Sequence, residues 1–112
     1  IIGAGNYADN RYGAAACTGM GEMAIRACTA HSLVFYMKMG LSVAEASERA
    51  MVDLRDLDGR FISVMNLVAI DKDGNHAGYS SVDGRSYIYQ TPDMPNCEEM
   101  ARTVVPVPPR WG

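Results

Sequence analysis

The chain has 112 residues, of which 48% are hydrophobic, and a formal net charge of −3. This composition indicates one small globular domain and argues against a disordered chain. Acidic and basic residues are interspersed without a basic stripe, which argues against a nucleic-acid-binding surface, and no apolar stretch is long enough to span a membrane.

The first segment of the chain contains the spacing Gly3-x-Gly5-x-x-Ala8, which in isolation is a dinucleotide-binding fingerprint. That fingerprint requires a full strand before it and a helix after its second glycine. Here two isoleucines precede it, and residues 6–13 (NYADNRYG) are too rich in turn formers for a helix. We therefore predict a tight chain crossing, in which the glycines let two segments pass closely. The two apolar residues at the start resemble the middle of a strand, so we expect a processed subunit or a fragment of a longer protein.

One strand and two helices are predicted next. The small, apolar stretch 13–18 (GAAACT) favours a strand. Apolar residues then recur at steps of three and four over residues 22–39, which predicts a helix. The sequence SVAE at 42–45 has the spacing of a capping box, so a second helix is predicted from there to about residue 57.

Three strands and a proline-rich tail are predicted for the remainder of the chain. The β-branched and apolar stretch 61–70 indicates a buried strand, and strands 76–82 and 85–90 follow the turn sequences DGN and DG. Residues 92–112 form an extended, proline-rich tail of a partial single domain that occupies 1–112. A strand, two helices and a three-stranded meander are typical of an α+β fold, with helices packed on a mostly antiparallel sheet.

The candidate site is the sequence Thr18-Gly19-Met20-Gly21, where the predicted strand passes through a glycine turn into the predicted helix. Backbone N–H groups at such a junction point outward and carry positive potential, and the threonine hydroxyl adds another donor. This arrangement suits an oxyanion or a carboxylate. The alternative is an ordinary strand–helix turn in which Thr18 satisfies local backbone groups, and the pattern alone leaves both open.

Other candidates for chemistry have unsuitable spacing. Cys17, Cys28 and Cys97 form no Cys-x-x-Cys pair, and their odd number argues against a closed disulfide framework, so we expect buried free thiols. The sequence DKDGN from Asp71 lacks the glycine and the glutamate of a calcium loop, and it predicts a hairpin turn. Two isolated histidines do not make a Ser/His/Asp constellation. We expect neither a metal ion nor a cofactor.

The two glycine clusters and the residues between them resemble a known family. The stretches IIGAG, YADN and GAAACTGMGE are followed by a helix and by Gly-Leu-Ser-x-x-Glu-Ala at 40–46. Together they resemble the nucleophile-bearing β-subunit of the glycosylasparaginases. These are N-terminal-nucleophile hydrolases, as are the isoaspartyl peptidases and plant-type L-asparaginases. The resemblance is dense from Ile1 to Glu48 and weaker through the later strands.

The resemblance implies an αββα sandwich and hydrolysis of the side-chain amide of asparagine. In the family, a threonine freed at a chain N-terminus by autoproteolysis is the nucleophile, and its own α-amine serves as the base. Carried onto this chain, the hydroxyl of Thr18 and the N–H of Gly19 stabilise the oxyanion. The turn formed by Gly19, Met20 and Gly21 helps to bind the α-amino end of the substrate.

The resemblance also implies that part of the site lies outside this chain. The nucleophilic threonine, and the arginine and aspartate that bind the substrate's α-carboxylate and α-amine, precede the segment that matches Ile1. We therefore expect the isolated chain to be inactive and to need an α-subunit from the same precursor, in an assembly of two αβ units. We expect no nucleic-acid or membrane partner. Family members occur in the periplasm, the lysosome and the cytoplasm, so the compartment stays open.

Four functions remain open from the sequence. The leading one is cleavage of the N-acetylglucosamine–asparagine linkage, which the two small residues before Thr18 favour. The second is isoaspartyl dipeptidase or L-asparaginase activity, because the Thr-Gly-x-Gly-Glu element occurs in those enzymes too. The third is a non-catalytic relative that serves as a partner subunit, and the fourth is an unrelated α+β binding module.

Overall fold

The computed structural model describes residues 1–110. Its elements within that range are, in chain order, β1 (Asn6–Asp9), β2 (Gly13–Gly19), α1 (Gly21–Ala27), α2 (Thr29–Lys38), α3 (Val43–Asp53), a 3-10 turn (Leu54–Asp56), β3 (Met65–Asp71), β4 (His76–Ser80), β5 (Ser86–Tyr89), β6 (Glu98–Ala101) and β7 (Thr103–Val104). The expected α+β fold class is confirmed. No helix among these residues has the length and hydrophobicity needed to cross a bilayer.

The main sheet has five strands in the order β1-β2-β3-β4-β7. Neighbouring strands are antiparallel except β4 and β7, which are parallel. The three helices cover one face, and the core lies between them and the inward side chains of β2, β3 and β4. Fully buried members of this core include Met23, Leu33, Met51, Leu54, Met65 and Leu67.

The second face of the sheet is only partly covered. Strand alternation places Ala15 and Leu67 toward the helices, where both are buried, and places Ala16 and Ile70 on the opposite face, where both are exposed. The two-stranded sheet of β5 and β6 contacts this opposite face near β4. We call this second side of the main sheet the open face.

The helix predicted over residues 22–39 is divided into α1 and α2. The break is at Cys28, which has a left-handed backbone with φ of +49°. The N–H groups of Ala30 and His31 at the start of α2 donate to the carbonyl oxygens of Ala4 (3.2 Å) and Gly3 (2.9 Å). Carbonyl oxygens from a distant segment therefore accept from the free N–H groups in the first turn of α2. In a continuous helix these N–H groups would bond to the preceding turn instead.

The first glycine cluster forms a turn whose carbonyl oxygens make these contacts. The chain turns over Gly3 to Gly5, with the N–H of Gly5 donating to the carbonyl oxygen of Ile1 at 2.9 Å, and strand β1 follows instead of a helix. The segment is a tight turn, but the expected close crossing does not explain its glycines, because a Cβ atom at Gly3 or Gly5 would have no heavy atom of residues 1–110 closer than 3.8 Å; Gly3 instead has a positive φ of +93°. The dinucleotide interpretation lacks its helix.

The predicted three-stranded meander is wrong in its third strand. Strands β3 and β4 form the expected hairpin, but β5 pairs with β6 and not with β4. The outer edge of β4 is taken by β7, with Tyr79 opposite Thr103 and Ser80 opposite Val104. The turn at Asp83-Gly84 therefore carries the chain to the open face, and does not continue the sheet.

The proline-rich segment 92–112 is extended but is anchored to the domain over its described part. It contains β6 and β7, and Val105 and Val107 are buried beyond them. The backbone of Arg110 pairs with that of Ile62 through hydrogen bonds of 2.8 and 2.9 Å. Residues 111–112 lie outside the described residues.

The capping box and the Asp71 turn form as predicted. The N–H of Glu45 donates to Oγ of Ser42 at 3.1 Å, and the N–H of Ser42 donates to Oε1 of Glu45 at 3.0 Å. Asp71 Oδ1 accepts from the N–H groups of Asp73 and Asn75, each at 2.9 Å, which fixes the β3–β4 turn. A local hydrogen-bond pattern determines both features, so the sequence alone reveals them.

Candidate functional site

Strand β2 ends at Gly19, where the backbone passes very close to the neighbouring segment. Gly19 has φ of +129°, and a Cβ atom placed there would lie 2.2 Å from the carbonyl oxygen of Val64. The N–H of Met20 donates to that same oxygen at 2.9 Å. Glycine is required here, because any side chain would push β2 away from residue 64. Helix α1 begins two residues later at Gly21, so the predicted strand–turn–helix junction is confirmed.

Thr18 is the last residue of β2 with a side chain, and it lies on the open face. Its cross-strand partner is Asn66 of β3, and its neighbours on β2, Cys17 and Gly19, face the helix side. The residue is exposed. Its hydroxyl group is therefore free of the core and accessible to a small molecule at the end of the strand.

The N–H of Gly19 points toward the β1 side of the sheet. The N–H of Cys17 donates to the carbonyl oxygen of Gly5 at 2.9 Å on that side. Because alternate residues of an antiparallel strand direct their N–H groups to the same side, the Gly19 N–H has this direction too. Strand β1 starts at Asn6, which is opposite Ala16, so the Gly19 N–H lies past the end of β1.

A pocket of about 190 Å³ lies beside this strand end. Ile1, Ala4 and Gly5 form one wall, and the segment from Cys17 to Gly19 forms the other. Gly21, Ala24, Ile25 and Met65 complete the lining. The first glycine cluster is thus one wall of this pocket. The Gly19 N–H on the other wall is directed to the same side of β2 as that cluster, whereas the Thr18 side chain lies on the open face.

Cys17 lines the same pocket but is not an activated nucleophile. Burial raises the pKa of its thiol to about 11, so the thiol stays protonated at neutral pH. The expectation of buried thiols fails for Cys28 and Cys97, which are both exposed. Among the lining residues of this pocket, only Cys17 and Thr18 carry a nucleophilic side-chain atom.

The two histidines lie away from this pocket. His31 on α2 packs against the rings of Tyr7 and Phe35, with ring centroids 4.7 and 6.4 Å apart. His76 lies on the open face, and its Nδ1 is 2.8 Å from the hydroxyl of Tyr87. The structure therefore places no imidazole next to Thr18 or Cys17 within residues 1–110.

Asn66 was not singled out from the sequence, yet it is the cross-strand neighbour of Thr18. It is 8% exposed, and its Oδ1 has no hydrogen-bond partner among the described residues. On its other side it is opposite Ser80 of β4, so three polar side chains cross the sheet in one row. The signal that could have revealed it is a single amide within the apolar run MNLVAI.

Comparison with known proteins places this strand end in a family. The family described as "Asparaginase" matches residues 1–95, which include both glycine clusters and the β3–β4 hairpin. This chain belongs to the asparaginase family.

Named relatives agree with that assignment. The isoaspartyl peptidase of Escherichia coli is 44% identical over 79 residues, which are 69% of this chain and 23% of that protein. The plant-type L-asparaginase of Pyrococcus horikoshii is 33% identical over 94 residues, 84% of this chain and 30% of that protein. The N(4)-(β-N-acetylglucosaminyl)-L-asparaginase of Elizabethkingia miricola is 34% identical over 93 residues, 78% of this chain and 27% of that protein.

The chain spans only about a quarter to a third of the length of these relatives. The family assignment is therefore a statement about this segment. The activity of the whole protein, its substrate and its partners are taken up as proposals below.

Proposed function

We propose that the protein to which this chain contributes is an amidohydrolase that cleaves the side-chain amide of asparagine or of an asparagine derivative. The observation that carries the proposal is the pair of donors at the end of β2, the Thr18 hydroxyl and the Gly19 N–H. They occur on adjacent residues beside a small pocket, within the segment that matches the asparaginase family. Preorganised donors of this kind stabilise the negative charge that develops during acyl transfer.

The proposed chemistry assigns the attack to a group outside this chain. Thr18 is in mid-chain, so its nitrogen is an amide and cannot act as the base for its own hydroxyl. The resemblance supplies a terminal threonine whose α-amine takes the hydroxyl proton as the oxygen attacks the amide carbon. The carbonyl oxygen then carries the charge of the tetrahedral intermediate, and Thr18 and Gly19 donate to it. On collapse of this intermediate the α-ammonium group gives that proton to the leaving nitrogen, the amine departs, and water hydrolyses the acyl-enzyme.

The turn after these donors is proposed to bind the substrate's α-amino end. Gly19, Met20 and Gly21 connect β2 to α1, and a Cβ atom at Gly21 would have no heavy atom within 4 Å. Substrate can therefore approach the backbone at this position without a steric barrier. The proposal needs no metal ion or cofactor, since donors, acceptors and a terminal amine suffice for the reaction.

An α-subunit from the same precursor is the proposed partner, in an assembly of two αβ units. The open face supports a further layer of protein, because it combines exposed apolar residues with a groove of about 370 Å³ between the sheet and β5. Ile70 and Ile88 at this groove are 45% and 66% exposed. Apolar surface of this kind is normally covered by protein. A second layer here would complete the αββα sandwich.

Two substrates are proposed within the reaction class. Cleavage of the N-acetylglucosamine–asparagine linkage is the first, in line with the sequence GAAACTG and with the relative from Elizabethkingia miricola. Hydrolysis of β-aspartyl peptides is the second, and the 44% identical relative from Escherichia coli favours it. The groups that contact the leaving group decide between them, and the resemblance locates most of those groups outside this segment.

The test is substitution of Thr18 in the complete protein. Thr18→Val removes the hydroxyl at nearly constant volume and is expected to lower kcat by about 10²–10³-fold with an unchanged circular dichroism spectrum. Thr18→Ser keeps the hydroxyl and is the matched control, with kcat close to that of the unmodified protein. Both are assayed on N-acetylglucosaminyl-asparagine, a β-aspartyl dipeptide and L-asparagine. Near-normal kcat for Thr18→Val would remove Thr18 from the mechanism, and no turnover of any substrate by the unmodified protein would refute the proposed function.

A further inference from the structure

The row of polar side chains across the open face contains a second polar residue next to Thr18. Asn66 lies between Thr18 on β2 and Ser80 on β4, in direct register with both. Directly opposite residues on one face of an antiparallel pair have Cβ atoms about 5 Å apart. The Asn66 amide is therefore adjacent to the Thr18 hydroxyl on the open face, at the end of β2.

The side-chain oxygen of Asn66 lacks a hydrogen-bond donor within residues 1–110, and the neighbouring serines are used elsewhere. Its Oδ1 is buried without a partner among the described residues. Oγ of Ser80 accepts from the N–H of Val82 at 3.2 Å, and Oγ of Ser81 accepts from the N–H of Met65 at 3.0 Å. The Ser81 hydroxyl thus links the start of β3 to the segment after β4, and the Ser80 hydroxyl caps the turn that follows it.

An orphaned acceptor of this kind requires an explanation, because burying it without a donor costs free energy. An apolar side chain at position 66 would continue the run of β3 at no such cost, as Val68 does two residues later on the same face. A hydrogen-bond donor from outside the chain would satisfy this oxygen and remove that cost. Rotation about the Asn66 Cβ–Cγ bond is soft and can turn the oxygen toward the side where Thr18 is exposed.

We propose that Asn66 is a specificity-determining residue that accepts a hydrogen bond from the N–H of the scissile amide. An amide presents an acceptor and a donor side by side, its carbonyl oxygen and its N–H group. The Thr18 hydroxyl on β2 donates to the carbonyl oxygen, and Asn66 Oδ1 on the neighbouring strand β3 accepts from the N–H group. The inference rests on the proposed function, and it adds that this site distinguishes amides from esters.

The proposed role of Asn66 predicts different effects on amide and ester substrates. An ester with the same acyl group has a carbonyl oxygen but no N–H, so it can use Thr18 and Gly19 but has nothing to donate to Asn66. Loss of Asn66 Oδ1 should therefore weaken turnover of the amide and leave turnover of the ester unchanged. Loss of the Thr18 hydroxyl should weaken both, because both reactions develop charge on the carbonyl oxygen.

The experiment compares L-asparagine with the β-methyl ester of L-aspartate in the complete protein. Asn66→Leu keeps the branched shape of the side chain and removes the acceptor, and Asn66→Ala is a second, smaller variant in case the leucine perturbs the strand. The ratio of kcat/KM for amide to that for ester is measured on a single preparation, so the folded fraction cancels. Loss of one hydrogen bond predicts a fall of about 3- to 10-fold in this ratio.

Each outcome is decisive. A fall in the ratio in both Asn66 variants, with an unchanged ratio in Thr18→Val, supports the assignment. An unchanged ratio in both Asn66 variants overturns it, while a loss of activity in Thr18→Val on both substrates leaves the proposed function standing. If the unmodified protein turns over neither substrate, the proposed function fails and the assignment fails with it.

Discussion

Substitution of Gly19 by alanine is the perturbation whose effect follows most directly from the structure. The added Cβ would lie 2.2 Å from the carbonyl oxygen of Val64, 3.0 Å from its carbonyl carbon and 3.1 Å from the Cα of Met65. All three are backbone atoms of the adjoining segment, so no side-chain rotation relieves the overlap. The backbone of Gly19 also has φ of +129°, which residues with side chains rarely adopt.

Backbone strain and steric overlap together set the loss of unfolding free energy expected for Gly19→Ala. A strained backbone at one non-glycine residue costs about 1–3 kcal/mol. Overpacking that forces a backbone shift costs a further 1–3 kcal/mol. We therefore expect Gly19→Ala to lower the free energy of unfolding by about 2–6 kcal/mol, a large part of the 5–15 kcal/mol typical of a domain. The hydrogen bond from the Met20 N–H to Val64, 2.9 Å long, lengthens as the segments separate.

Gly21→Ala is the matched control, because it makes the same chemical change two residues away. Nothing lies within 4 Å of a Cβ atom at Gly21, its φ is not positive, and it is the first residue of α1. Alanine should therefore be neutral or stabilising there, by up to about 1 kcal/mol. Urea unfolding of the complete protein, at one protein concentration, measures both variants through their midpoints and slopes.

The result that would refute this reasoning is a Gly19→Ala midpoint equal to that of Gly21→Ala, with the same slope. The two substitutions would then be energetically equivalent, and the close approach between Gly19 and Val64 would not be a constraint in solution. A lower midpoint for Gly19→Ala with normal turnover would show that the added Cβ lowers stability without displacing the backbone N–H, which alanine keeps.

Two further predictions test other parts of the structure. A Cβ atom at Gly78 would lie 2.3 Å from the Tyr87 ring, so Gly78→Ala should displace β5 and lower the free energy of unfolding in urea by about 1–3 kcal/mol. Most of that loss should disappear in a Tyr87→Ala background, and equal losses in both backgrounds would contradict the contact. Because burial raises the pKa of Cys17 to about 11, its thiol should be the slowest of the three cysteines to react with iodoacetamide at pH 8, as followed by mass spectrometry of tryptic peptides. The unfolded thiol ionises near its ordinary pKa of 9.0, so stability should fall as pH rises from 9 toward 11, and rapid labelling of Cys17 in the folded protein would contradict its burial.

Several elements were predictable because short-range physics fixes them. The Ser42 and Glu45 capping box begins α3, and the Asp71 side chain closes the β3–β4 turn through hydrogen bonds spanning at most four residues. The strand before the second glycine cluster also forms as predicted, and a helix begins after that cluster, although it ends at Ala27. The candidate residues Thr18 and Gly19 follow from that junction, since two small residues at a strand–helix turn are visible in the sequence itself.

Long-range packing decided the features that the sequence did not reveal. Nothing local to Cys28 marks a helix break, because the break depends on the carbonyl oxygens of Gly3 and Ala4, some 25 residues away, that satisfy the start of α2. The partner of β5 depended on which strand reached the free edge of β4, and β7 occupies that edge.

The sequence by itself determined the α+β class, the turns and caps, and the donors Thr18 and Gly19. The tertiary structure alone decided that Asn66 is the neighbour of Thr18, because the register between β2 and β3 joins residues 48 positions apart. Register depends on which faces are buried across the whole sheet, and no local hydrogen bond or propensity encodes it. A buried amide therefore looked like one polar residue in an apolar strand until the fold placed it beside the site.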